Sequence, residues 1–394
     1  MRALVSVCLL LCSVGSLQAG EILVPAECDA PEKCSLAAAI ARSNQSPGRD
    51  VLVLEADAVY RLESSDHQNE GGNGLPAITD DLVIEGRGAR LERLADDDQP
   101  FRLLRVAASG RLELRHLVLT GGATPRGFDG AAIWNVGELV VDSCVIEDNQ
   151  SGDDGGGIRN DGTLVLRDSL LRRNSARWRG GVGGGLQNAE QFGPARVRIE
   201  RTTFADNDAW ASGGGLWLEG SVTIESSTIS GNRAGNRGGG IQNYGELEIY
   251  GSTVTDNQAH VTGGGLFTFG SVVLGNSILA NNQAMISAEC KGSLRSAGHN
   301  LLGKKLFECT LQGEARGDLL ETRASLGPLR EVDGQLVHLP RAGSPALDAG
   351  SPAPPGSGDG ACSVRDQRGK RRGGAAGRCD IGAVELLPAA EVGR

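Results

Sequence analysis

The chain has 394 residues, a formal net charge of −10, 59 glycines and only 4% aromatic residues. That charge excludes a general electrostatic attraction to nucleic acid or to anionic membranes. Many glycines and few aromatics imply frequent turns around a core of small aliphatic side chains, and a length that ordinarily means two or three domains does not do so in a repeat array.

Residues 1–19, MRALVSVCLLLCSVGSLQA, read as a signal peptide. Arg2 gives the basic start, Ala3 to Val14 the apolar stretch and Ala19 the small residue at the cleavage point. The stretch is short for a bilayer span. A lipoprotein reading at Cys12 meets the bulky Leu11 where a small residue belongs. No later segment is apolar enough for a transmembrane helix, so the mature protein is expected to be secreted or held at the cell surface, with the periplasm as the other location.

Residues 20–50 are expected to form an N-terminal cap. SLAAAIARSN, residues 35–44, is the best helix candidate, with Ser35 as N-cap and a run of helix-favouring alanines. A Cys28–Cys34 disulfide would tie it down, so that the helix plugs the first coil of the repeat region.

Residues 51–290 carry a period. GAAI at 130 is followed by GGGI at 155, GGGL at 183, GGGL at 213, GGGI at 238 and GGGL at 263, at intervals of 25, 28, 30, 25 and 25 residues. The two long intervals hold insertions around 177–182 and 189–193. Asn149, Asn174, Asn207, Asn232, Asn257 and Asn282 share one column, and Cys144, Ser169, Thr202, Ser227, Ser252 and Ser277 lie five residues before them. Between the columns run short alternating stretches such as TLVL and ELEI, which read as strands. The expected fold is all-β: a parallel β-helix, a pectate-lyase-like solenoid with about 25 residues per coil. The Asn column is expected to form a structural ladder and the Ser/Thr column to bond to its neighbours or to local backbone. Cys144, within that column, is expected to be buried and inert.

Beyond residue 290 the period fades into irregular last coils and a C-terminal cap over residues 291–385, followed by a tail at 386–394. Cys290 with Cys309 and Cys362 with Cys379 are two further local pairs, natural disulfides in an oxidising compartment. The basic run from Arg365 to Arg378 reads as a solvated loop.

CSLAAAI at 34–40 resembles the CSLREA motif that begins many exported bacterial β-helix proteins, with two alanines in place of the Arg-Glu pair. SAGHNLLG at 296–303, SLGPL at 325–329, GSPALDAG at 343–350, DQRG at 366–369 and RCDIGAVE at 378–385 resemble the C-terminal region called choice-of-anchor Q. The repeats are similar, more loosely, to those of polymorphic outer-membrane proteins, whose members include adhesins. These resemblances imply a bacterial, exported, right-handed β-helix and no single activity. Relatives often continue past DIGAVE into a surface anchor; nine residues follow it here, from which secretion or loose retention at the surface is expected.

The variable loops between each ladder Asn and the next glycines stack on one flank. They supply Trp178, Trp210, Arg233, Arg237 and His260 as candidates for ligand binding, since Trp stacks on sugars and Arg pairs with carboxylates. Asp153, Asp154, Arg177, Arg179 and Asp208 are the candidates for catalysis if the protein is an enzyme. A second column, Trp134, Arg159, Gln187, Trp217, Gln242 and Phe267, alternates aromatic and polar residues and suggests a half-exposed face. No metal or cofactor is expected, with Ca²⁺ entering only under a lyase reading. The favoured expectation is a non-catalytic, monomeric, adhesin-like protein that binds a glycan or another cell surface. The alternatives are a polysaccharide lyase or glycoside hydrolase acting on an acidic polysaccharide, and a passive structural rod.

Overall fold

The computed structural model describes residues 21–27, 35–65, 71–94, 99–303, 307–313, 316–358, 360–373 and 377–386. The signal-peptide residues, Cys28, Cys34 and residues 387–394 lie outside the described residues.

One coil shows the plan. After the glycine corner at residues 238–240 come the strands Ile241–Asn243, Glu246–Tyr250, Thr253–Thr255 and Gln258–Ala259. The sequence alternation implies fewer strands per coil, because two- and three-residue strands are too short to show it. Each strand pairs in parallel with its counterpart 25 residues on: Ile241 opposes Leu266, Glu246 opposes Ser271 and Thr253 opposes Ile278. The stacked coils therefore present four faces, numbered in that chain order, and form the expected parallel β-helix. Inward side chains repeat down the axis. Ile241, Leu247, Ile249 and Val254 of this coil are all at most 1% exposed and belong to one continuous aliphatic core.

The turns explain the polar columns. The chain bends before each ladder residue through a left-handed residue: Asp168 (φ 50°) precedes Ser169, and Asp256 (φ 57°) precedes Asn257. Glycine, as at Gly231 and Gly251, and short polar residues tolerate that conformation best. The ladder side chains then satisfy backbone donors that the bend leaves over. Asn232 Oδ1 accepts from both the backbone N–H and Nδ2 of Asn207 at 3.0 and 2.9 Å, and Asn232 Nδ2 donates to the Phe204 carbonyl at 3.0 Å. The pattern runs from Asn149 through Asn257 to Asn282, which ends it by bonding Glu289 Oε2. In the Ser/Thr column each hydroxyl accepts from the preceding coil, as Ser227 Oγ does from the Thr202 N–H at 3.1 Å.

Cys144 fills the first slot of that column. It is 1% exposed, its Sγ faces the Asp142 carbonyl at 3.2 Å, and burial pushes its thiol up to about 12. Native Cys144 is expected to resist iodoacetamide at pH 8 and to react fully once unfolded, as read by intact mass. Cys144→Ser is expected to change stability by no more than about 1 kcal/mol, because a serine hydroxyl there can donate to the same carbonyl.

At the N-terminal end the helix α1, Leu36–Ser43, has Ser35 as its N-cap, accepting from the Ala38 N–H at 3.2 Å. Leu36, Ala39 and Ile40 pack into the core and close its end. At the other end Cys290–Gly298 and Cys309–Gln312 add further turns, joined by the Cys290–Cys309 disulfide. The chain then folds back along the third face instead of staying at the end of the rod. The hairpin of Leu326–Val332 and Gln335–Pro340 places the Leu336 carbonyl on Thr203 Oγ1 at 2.8 Å. His338 is 3% exposed, donates from Nδ1 to the Gly327 carbonyl and accepts from the Ser230 hydroxyl at Nε2, 2.8 Å away. Gln367 inserts between Thr203 and Thr228 at 2.7 and 2.6 Å.

The basic run is correspondingly not a solvated loop throughout. Arg372 is 6% exposed and donates to the Gly251 and Gly382 carbonyls, near a second disulfide, Cys362–Cys379. Two disulfides agree with an oxidising compartment. Among the described residues no helix is long and apolar enough to cross a membrane.

Candidate functional site

Three side-chain columns converge on the first face. One precedes the glycine corner: Asp129, Asp154, Val182, Ser212, Arg237 and Thr262. The second is the outward middle residue of each first-face strand: Trp134, Arg159, Gln187, Trp217, Gln242 and Phe267. The third precedes the next turn: Val136, Asp161, Glu219, Tyr244 and Phe269. The columns touch because the corner between the first two is so tight. Asp129 reaches Arg159, Asp154 reaches Gln187 and Arg237 reaches Phe267, each across one coil.

The half nearer the N-terminus is ionic and closed. Arg159 is 5% exposed, and every branch of its guanidinium is engaged. Nε and Nη2 fork onto Asp161 at 2.8 and 2.9 Å, Nη1 meets Asp129 at 2.8 Å and Gln187 at 2.7 Å, and Nη2 meets Gln191 at 2.7 Å. Asp161 also accepts from Trp134 Nε1 at 2.9 Å. The insertion at 189–193, in the coil that begins at Gly183, supplies Gln191 and lays Phe192 against Trp134, ring centroids 6.3 Å apart. Asp154 accepts from the Val182 N–H at 2.9 Å and from Gln187 Nε2 at 2.8 Å. Burial pushes its carboxyl up to about 6, with the charges of Asp129 and Asp153 adding to the rise. Asp129 is raised as well, chiefly by burial.

A raised carboxyl binds its proton more tightly in the folded chain than in the unfolded one, where it titrates near 4. Its favourable contribution is therefore complete below about pH 4 and is lost as the pH rises to about 6. Asp154→Asn is expected to stabilise the protein by about 1–3 kcal/mol at pH 7.5 and to do nothing at pH 3.5, as read by denaturant unfolding at both values. An equal effect at both would contradict the raised value.

The half nearer the C-terminus is aromatic and open. Trp217 and Tyr244 have ring centroids 5.4 Å apart, Tyr244 and Phe269 5.4 Å, and Phe269 and Phe267 4.9 Å. Tyr244 is 42% and Phe269 64% exposed. The rings belong to three successive coils, each about 4.8 Å further along the axis. Arg237 lies over Phe267 at 5.2 Å and over Phe269 at 6.0 Å.

The candidates named from the loops are divided by this geometry. Asp154 turns into the ionic half and Arg237 into the aromatic half. Arg177, Trp178 and Arg179 form an exposed loop tip, where Arg126 lies over the Trp178 ring, 5.3 Å from its centroid. Asp153 is half-buried and contributes its backbone carbonyl to Ser151 Oγ. Asp208 and Arg233 are exposed, register-matched neighbours on the fourth face, while Trp210 and His260 are exposed just beyond it. Trp178 and Trp210 make no ring contact with each other. The loop candidates thus do not form one groove.

The residues missed from sequence are Asp129, Asp161, Gln191, Tyr244 and Phe269. The signal for two of them is present: Tyr244 and Phe269 each stand just before the repeat glycine, 25 residues apart. Among the described residues no group of three or more His, Cys, Asp or Glu side chains is placed to hold a metal ion. The carboxylates around Arg159 are engaged by arginine, tryptophan, glutamine and backbone donors. No family model matches the chain, and no curated protein matches it.

Proposed function

We propose that this chain is an exported parallel β-helix that binds a polysaccharide lengthwise along the aromatic stripe of its first face, without turning it over. The observation that carries this reading is the run of Trp217, Tyr244 and Phe269 over the buried Phe267, linked ring to ring across three coils, with Tyr244 and Phe269 open to solvent. A monomeric protein ordinarily hides such a surface, and contiguous exposed aromatics mark an interaction site. Flat rings spaced along a straight axis suit a linear polymer of sugar rings, whose apolar faces stack on them. The adhesin-like resemblance of the repeats and the leader-like residues 1–19 agree with display outside the cell. Titration of a panel of neutral and acidic oligosaccharides by calorimetry tests the reading, and it fails if none of them binds.

One observation favours hydrolysis as a second reading. A carboxyl raised to about 6 beside two other aspartates, as at Asp154, has the proton affinity of a general acid. Release of reducing ends from a bound glycan, lost in Asp154→Asn, would support it. Binding without any turnover supports the non-catalytic reading.

A further inference from the structure

The stripe contains polar groups that the fold does not use. Arg237 is half-buried, and among the described residues its only side-chain partners are the two phenylalanine rings beneath it. This cation–π contact with the two rings leaves the five N–H donors of the guanidinium free to bond a ligand. The contrast with Arg159 on the same face is direct, because there every branch is bonded to aspartate or glutamine. Two buried neighbours are also incomplete. Gln242, 2% exposed, lies between Trp217 and Phe267 in the stripe and donates from Nε2 to Tyr244 Oη at 2.7 Å. Among the described residues its Oε1 has no hydrogen-bond partner. Whichever way the amide is turned, one head atom bonds Tyr244 and the other is left over. Thr262, 4% exposed, is the parallel bridge partner of Arg237 on the next coil, and its Oγ1 is likewise unpaired.

Buried polar atoms without partners are costly and uncommon in folded proteins. Two of them flanking a stacked, unpaired arginine describe a site that completes its hydrogen bonds with something else. From this we infer that Arg237, Gln242 and Thr262 form a subsite for the carboxylate-bearing sugar of an acidic polysaccharide, a uronate. The inference rests on the aromatic stripe being the glycan-binding face and adds the chemical class of the ligand. The sugar ring stacks on Tyr244 and Phe269. Its carboxylate takes the fork of Arg237, the geometry in which arginine and carboxylate pair most strongly. The ring hydroxyls complete the Gln242 amide and the Thr262 hydroxyl once binding turns those buried side chains toward the sugar. With a net charge of −10 the protein does not attract polyanions as a whole, so discrimination falls to this cation.

The test compares each acid with a form of the same sugar that has lost only its charge. Hexamers of galacturonate, mannuronate and glucuronate–N-acetylglucosamine, each with its methyl ester, are titrated into the full chain by calorimetry beside a neutral β-glucan hexamer. At least one acid is expected to bind about tenfold more tightly than its ester, a difference of about 1.4 kcal/mol. Arg237→Gln is expected to bring that acid down to the level of the ester, removing the difference between the two forms, and to leave thermal stability unchanged. Thr262→Val, nearly isosteric, is expected to weaken both forms severalfold while leaving the protein as stable as the wild type or more so. If every acid binds no better than its ester, or Arg237→Gln weakens both equally, the uronate subsite is overturned while the stripe stands. If neither the uronates nor the glucan binds, both are overturned.

Discussion

Gly239→Ala is expected to destabilise the β-helix by roughly 4 kcal/mol or more, a size that only a severe steric or polar defect reaches. The three glycines of the corner do different things. Gly238 adopts φ 61°, the left-handed turn that starts the corner. Gly239 makes the approach to the next coil: a Cβ there would lie 2.4 Å from the Gln258 carbonyl carbon and the Gly264 oxygen, both backbone. Those atoms cannot rotate away, so the coils must part, and parting breaks the bonds that stack them, such as Gly239 N–H to the Gly263 carbonyl at 3.1 Å. Denaturant unfolding followed by circular dichroism measures the loss, with Ser221→Ala on the exposed second face as the control. A Gly239→Ala protein within about 1 kcal/mol of wild type would contradict a corner packed directly on its neighbour.

The largest effect on binding is expected from Tyr244→Ala combined with Phe269→Ala. Removing both rings should weaken the tightest glycan about a hundredfold, equivalent to about 2.7 kcal/mol. The loss comes from stacked apolar area together with the Tyr244 contact to Gln242. Stability should change little, since both rings project from the solvent side of the coil and are 42% and 64% exposed. Trp178→Ala with Trp210→Ala is the matched comparison. These rings are equally conspicuous in the sequence, yet among the described residues they make no ring contact with each other or with the stripe, and their removal is expected to leave binding intact. The opposite ranking would move the binding surface to the loop flank.

The scaffold is legible in the sequence because stacking repeats a constraint every coil. Each corner needs glycine where the previous one did, and each turn needs an amide or hydroxyl at the same depth, so Gly238, Asn232 and Ser227 recur as columns. Ser35 and its alanines are legible from local propensity and capping alone. A further ladder is hidden: Asn135 Nδ2 donates to Asn160 Oδ1 and Asn160 Nδ2 to Asn188 Oδ1, each at 2.6 Å. That column is interrupted by Leu218 and Thr268, which blurs the pattern. The fold-back of the C-terminal region depends on pairs such as Thr228 with Gln367 and Ser230 with His338, more than 100 residues apart, which no local period encodes.

For the site, sequence shows which residues vary but not which way they face. Asp154 and Arg237 read as parts of a loop flank, yet both turn across the glycine corner onto the first face. The second column, whose alternation alone makes it look the weaker one, contains the floor of the stripe. Its importance depends on Tyr244 and Phe269 from a neighbouring column, and on the difference between an arginine sealed by aspartates and one left open over phenylalanine. Those are properties of packing, and they appear only when the coils are stacked.

Tryptophan fluorescence of single-tryptophan variants measures most directly where the glycan lies. Three proteins are needed, each with the other tryptophans changed to phenylalanine, retaining Trp217, Trp178 or Trp210 alone. On titration with the tightest oligosaccharide, the Trp217 protein should show a saturable blue shift while the emission of the other two stays fixed. A shift confined to Trp178 or Trp210, with Trp217 silent, would contradict a binding face built on the aromatic stripe.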